Sequence, residues 1–200
     1  MRPLRTVAGL SGTAALQAVT IIARFNYLTR VADGTGIEAD YGGTLPTFRR
    51  SPRRTGDDAG GREPGPAALA GIDSAPWQVA LRSLGDDVAE RYAALQGYVL
   101  GRESPLSADV RSRLALVAAE AAGDDAWIAE LAGTGPVPVD GPVLDYAEKL
   151  AVRPGEMTGD DLKSLRALGL DDRTILDVIS VVAFAAAHAR LRIGLTAVAG

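Results

Sequence analysis

Apolar residues recur along this 200-residue chain at helical spacing, and nowhere do four residues alternate as one face of a strand would. The stretch VAGLSGTAALQAVTIIARFNYLTRVADG, residues 7–34, carries an apolar stripe through Phe25, Leu28 and Val31. Ser11 is placed to cap it, and the glycines at 34 and 36 offer a left-handed exit. Ser74 before Pro76 reads as a cap and first turn. Ser107 with Asp109 opens another helix, Thr158 and Asp161 have capping-box spacing, and Asp171 caps the last helix after Gly169 closes the one before. This punctuation predicts about seven helices and an all-α fold.

A shift of 160 positions lays residues 7–34 on ALGLDDRTILDVISVVAFAAAHARLRIG, residues 167–194, without a gap. Gly9, Leu10, Leu16, Ala23, Arg30 and Gly34 meet identical residues at 169, 170, 176, 183, 190 and 194. Val19 meets Ile179, Thr20 meets Ser180, Ile21 meets Val181 and Ile22 meets Val182, so the apolar phase is kept as well. Two copies of one unit are expected, the first incomplete. Between them, residues 41–66 are dense in Gly, Pro and Arg with few aliphatics, the composition of a mobile linker. Its run Arg49, Arg50, Arg53 and Arg54 has only Phe48 beside it and reads as solvated linker rather than nucleic-acid platform. The expected organisation is a partial repeat helix over 1–41, a flexible linker over 42–71 and a helical domain over 72–200.

Composition changes the picture mainly by exclusion. With 47% apolar and 23% charged residues the chain belongs with ordinary globular proteins. A net charge of 21 − 25 = −4 gives no global attraction to nucleic acid or anionic lipid. Cysteine is absent, which removes disulfides, thiolate metal sites and cysteine nucleophiles together. The N-terminal MRPLRTVAGLSGTAALQAVTIIA imitates a signal peptide, but no small-x-small cleavage pattern closes it and Arg24 continues the helix. The apolar stretch Val178 to Ala187 is shorter than the roughly 20 residues a bilayer span needs. No membrane anchor and a cytoplasmic protein are therefore expected.

The segment LDYAEKLAVRPGEMTGDDLKSLRALGLDDRTILDVISVVAFAAAHARL, residues 144–191, resembles the C-terminal half of alkylhydroperoxidase D-like and carboxymuconolactone decarboxylase-like proteins, in particular their peroxidase-related branch. FNYLTRVADGTG, residues 25–36, resembles the Asn- and Arg-bearing helix of the same branch. The resemblance implies an alkylhydroperoxidase D-like helical bundle, one full unit over 72–200 plus the C-terminal part of a second over 7–41. In the family's peroxidases the working helix carries Cys-x-x-Cys-x-x-x-His and an upstream glutamate. Those places fall on Asp124, Trp127, Leu131 and Ser112 here. A peroxidatic step needs a thiolate and a resolving thiol, so dithiol peroxidase chemistry is unavailable to this chain.

What stands there instead suggests two readings. If residues 118–133, AAEAAGDDAWIAELAG, form one helix, Glu120, Asp124, Trp127 and Leu131 share a face and offer two carboxylates and an indole for acid and base work. Otherwise Gly123 ends one helix, Asp124 and Asp125 cap the next, Glu120 is solvated and Trp127 fills space. His188 lies on an apolar stripe with Val181, Phe184, Ala185 and Leu191; it is either a half-buried core residue or a general base with Arg192 one turn on. A single histidine without cysteine makes a poor metal or haem site, so neither metal nor cofactor is expected. Asn26, Arg30 and Asp33 form a polar strip, in which Arg30, like Arg190, is a structural joint or a clamp for a substrate carboxylate.

Two functions are thus expected in competition. One is a lyase, isomerase or decarboxylase acting on a small organic substrate through Glu120, Asp124 and His188, with Trp127, Arg30 and Asn26 binding it. The other is a non-catalytic structural or binding paralogue whose old site is plugged by Trp127. Under either, a helix such as residues 11–34 must bury its apolar face, so a homo-oligomer is expected.

Overall fold

The computed structural model describes residues 12–36, 75–133 and 137–199. Ser11, Ser74 and the arginine-rich segment lie outside them. The described residues form eight α-helices: α1 (Gly12–Thr35), α2 (Pro76–Arg82), α3 (Asp86–Leu100), α4 (Ala108–Ala122), α5 (Asp125–Ala132), α6 (Gly141–Val152), α7 (Gly159–Ala167) and α8 (Asp172–Ala199). A 3-10 turn, Pro154–Glu156, links α6 to α7, and no strand occurs among the described residues. The fold is all-α.

Local chemistry sets most of the boundaries. Ser107 Oγ accepts the Val110 N–H at 3.3 Å and Asp171 Oδ1 accepts the Thr174 N–H at 2.8 Å, so both caps form where the sequence places them. Asp161 accepts the Thr158 N–H at 2.7 Å and both of its oxygens receive Lys149 Nζ at 2.8 Å, which fastens the start of α7 to α6. Burial raises the Asp161 carboxyl, and the bonds from Lys149 and Thr158 outweigh it and hold the group below its usual range.

α8 is the axis of the molecule. Ile175 to Ala189 pack with α4 and α6 in one cluster, and Leu191, Leu195 and Val198 pack with Ala15, Leu16 and Ala23 of α1 and with Trp77, Ala80 and Leu81 of α2 in a second. By length and composition α8 would reach across a bilayer, yet 78% of its apolar window is buried by the other helices. One acid lies inside this helix. Asp177, 5% exposed, takes both terminal nitrogens of Arg111, itself fully buried. The same guanidinium donates to the carbonyls of Val99, Arg102 and Leu106, so one charge pair joins the α3–α4 connection to the core.

α1 lies antiparallel along α8. A Cβ at Gly34 would stand 3.0 Å from Ile179 Cγ2, and one at Gly194 would stand 2.6 Å from Val19 Cγ1. Both contacts exchange under the same offset, since 194 − 34 and 179 − 19 each equal 160. Side-chain bonds follow it too: Thr20 Oγ1 donates to Leu16 O as Ser180 Oγ donates to Leu176 O. The outer faces differ. Ile21, Ile22, Phe25 and Leu28 are 66, 59, 66 and 51% exposed, whereas Val181, Val182, Ala185 and His188 at the corresponding positions of α8 are all 0% exposed.

Candidate functional site

The stretch 118–133 is two helices. Gly123 adopts φ 72°, a left-handed conformation that ends α4, and Asp124 becomes the N-cap of α5 with Oδ1 accepting the Trp127 N–H at 3.0 Å. Of the two readings of this stretch, the break at Gly123 with Asp124 as cap is the one observed. Glu120, on the last turn of α4, is exposed, while Asp124 is 6% exposed and Trp127 3%. The break at Gly123 separates the two carboxylates that an unbroken helix would have aligned.

Asp124 turns inward because a cation waits there. Its Oδ2 accepts Arg192 Nε at 2.8 Å, and the two terminal nitrogens of Arg192 reach Glu130 Oε1 and Oε2 at 2.8 and 3.2 Å. The guanidinium also stands over two indoles, 5.3 Å from the Trp77 ring and 5.8 Å from that of Trp127. α5 and α8 are thereby joined by charge as well as by packing.

Beside this network sits His188. It is fully buried, with Trp127 and Trp77 nearly perpendicular to its ring at 4.6 and 5.3 Å, and Tyr92 and Phe184 stacked on it at 5.7 Å each. Nδ1 lies 2.7 Å from the Tyr92 hydroxyl, and Nε2 is buried without a hydrogen-bond partner. Burial, helped by the Arg192 charge, lowers the imidazole from 6.5 to about 3. The Tyr92 phenol is pushed up by burial and keeps its proton, and the imidazole tautomer sets which of Oη and Nδ1 donates in their bond. At neutral pH the histidine is uncharged.

Asn26 and Arg30 belong to a different place. Arg30, 4% exposed, donates from Nη1 to Asn26 Oδ1 at 2.8 Å and from Nη2 to Ala151 O at 3.0 Å, near the end of α6. Of the six candidates, the structure brings together Asp124, Trp127 and His188, and separately Asn26 with Arg30; Glu120 joins neither group. Among the described residues no cluster of three or more His, Asp or Glu side chains could hold a metal ion. The sequence did not single out Trp77, Tyr92 or Glu130. Only the count of two tryptophans hinted at the first, since a rare large residue usually anchors a core.

Against protein families, curated proteins and solved structures, the chain has no match.

Proposed function

We propose that this chain is a cysteine-free, non-catalytic member of the alkylhydroperoxidase D-like and carboxymuconolactone decarboxylase-like fold, serving as a structural or binding protein. The single observation that carries this reading is the closure around His188. Trp127, at the place where the resemblance puts the second cysteine, lies against the imidazole, and four aromatic rings surround a side chain with no exposure. A general base must come within hydrogen-bond reach of its substrate, and a group lowered to about 3 is a weak base at neutral pH. Asp124 is committed to the Trp127 amide and to Arg192.

The binding role rests on α1. Its exposed Ile21, Ile22, Phe25 and Leu28 form an apolar face whose counterparts in α8 are covered by helices of the same chain. The contact reciprocity between Gly34 with Ile179 and Gly194 with Val19 supports reading α1 and α8 as copies of one unit, with α1 covered by a second molecule in a homo-oligomer.

The reading is tested by Trp127→Ala. Removal of the indole leaves an apolar void, so added indole should raise the melting temperature of the variant and leave that of the wild type unchanged. Indole binding of equal strength to the wild type would mean an open site and would overturn the proposal. The acid and base reading, a lyase, isomerase or decarboxylase, retains one observation in its favour: His188 Nε2 has no partner and, in the tautomer with the proton on Nδ1, it is an unused acceptor. It requires turnover of a small organic substrate that disappears in His188→Gln.

A further inference from the structure

Arg30 and Arg190 stand at corresponding positions of the antiparallel pair α1 and α8. Both side chains bend back by one turn: Arg30 Nη1 donates to Asn26 O at 3.3 Å and Arg190 Nη1 to Ala186 O at 2.8 Å. Contacts of residue 34 with 179 and of 19 with 194 set the register, in which facing positions sum to 213 (34 + 179 and 19 + 194). Asn26 is therefore level with Ala187, and Ala186 with Tyr27. A two-fold that exchanges antiparallel helices runs perpendicular to the pair, so both arginines rise on the same side of it. Both bent side chains therefore end near the level of Asn26 and Ala186, and the charge of Arg190 acts on Arg30.

No carboxylate of the described residues forms an ion pair with them, and the one whose charge reaches Arg30 is Asp33. Among the described residues neither arginine is within ion-pair distance of a carboxylate: Arg30 spends its terminal nitrogens on Asn26 and Ala151, and Arg190 donates only to Ala186. Arg30 Nε is buried and has no partner. Burial, then the charge of Arg190, lower the Arg30 guanidinium to about 10, with Asp33 acting in the opposite sense, and burial lowers Arg190. Two such cations side by side are costly without a counter-charge. Among the described residues the other arginines as deeply buried as Arg30, namely Arg111 and Arg192, each have a carboxylate.

We infer that Arg30 and Arg190, with Asn26 holding the first in place, form a binding site for a small oxyanion, a carboxylate or a phosphate, between α1 and α8. Arg30 supplies Nε, and the half-buried Arg190 supplies Nε and Nη2 from the solvent side. This site is distinct from the His188 cluster and does not depend on how that cluster is read.

The test compares sodium phosphate, sodium malonate and sodium chloride at matched ionic strength as additions to the full chain, followed by melting temperature and by isothermal titration. Phosphate or malonate should raise the melting temperature of the wild type above the chloride control, and the stronger of the two tells which oxyanion the site prefers. Arg190→Gln, at the half-buried position, should fold and lose about tenfold or more in affinity, with Arg190→Lys between the two. Arg30→Gln removes the same binding if it folds, and Arg190→Gln alone decides if it does not. Equal responses to all three salts, or equal affinity in wild type and Arg190→Gln, would overturn the inference.

Discussion

Arg192 and Asp124 meet at 2.8 Å across 68 positions of sequence, both only 6% exposed, and the same Asp124 caps α5. One carboxylate thus performs a local and a long-range task, and substitutions can separate them. Asp124→Asn keeps an acceptor for the Trp127 amide but leaves Arg192 with Glu130 alone, whose side chain is 57% exposed. A loss of about 3–5 kcal/mol is expected by chemical denaturation, with Asp124→Ala costing about 1 kcal/mol more for the cap. Glu130→Gln, at the exposed rim, should cost about 1 kcal/mol or less. Equal losses for Asp124→Asn and Glu130→Gln would show that the buried pair carries no special weight.

The two tasks of Asp124 also mark what the sequence can disclose. Caps are local: Ser107, Asp171 and the Thr158 with Asp161 pair are legible because donor and acceptor lie three residues apart. The end of α4 was open to two readings until the conformation of Gly123 decided it. Partners such as Arg192 with Asp124, or Tyr92 with His188, are 68 and 96 positions apart, and no periodicity links them. Asp177 falls on the same helical stripe as Val181 and Phe184, and its buried partner Arg111 stands 66 positions away, so the local pattern names no cation for it.

His188 predicts a pH dependence of stability. The unfolded chain takes up a proton on this imidazole below about 6.5, while the folded protein keeps it neutral down to about 3. The unfolded state therefore binds more protons within that window, and stability falls as the pH is lowered through it, being fully present above 6.5. The slope contributed by one proton is at most about 1.4 kcal/mol per pH unit. Between pH 6.5 and 5, above most carboxylate titrations, urea unfolding should show this slope in the wild type and lose most of it in His188→Phe. An unaltered slope in the variant would assign it to other groups.

The close approach of α1 and α8 predicts unequal sensitivity of two related glycines. At Gly194 an added Cβ would lie 2.6 Å from Val19 Cγ1, so Gly194→Ala should destabilise by about 1–3 kcal/mol despite the better helix propensity of alanine. Gly34→Ala meets Ile179 at 3.0 Å and Leu150 at 3.2 Å, contacts that yield by small side-chain shifts, and should cost less. Pairing Gly194→Ala with Val19→Ala removes the clashing methyl, and the double variant should be more stable than the sum of the single losses. Strict additivity in that cycle would contradict the antiparallel register.

The exposed face of α1 makes the last prediction, because an apolar stripe on one helix and a covered one on its counterpart call for different neighbours. Phe25 and Ile22 are 66 and 59% exposed on α1, so among the described residues charge introduced there faces solvent. Phe25→Glu and Ile22→Glu should therefore leave the helical signal and the unfolding midpoint nearly unchanged, while converting an associated species to a lighter one in sedimentation velocity. Leu95→Glu, at a position on α3 that is 48% exposed, serves as the comparison and should leave the mass unchanged. A wild-type chain that sediments as a monomer at tens of micromolar, or an unchanged mass in both α1 variants, would remove the second molecule from that face. If instead Leu95→Glu alone shifts the mass, the contact between copies lies on α3, and α1 plays no part in it.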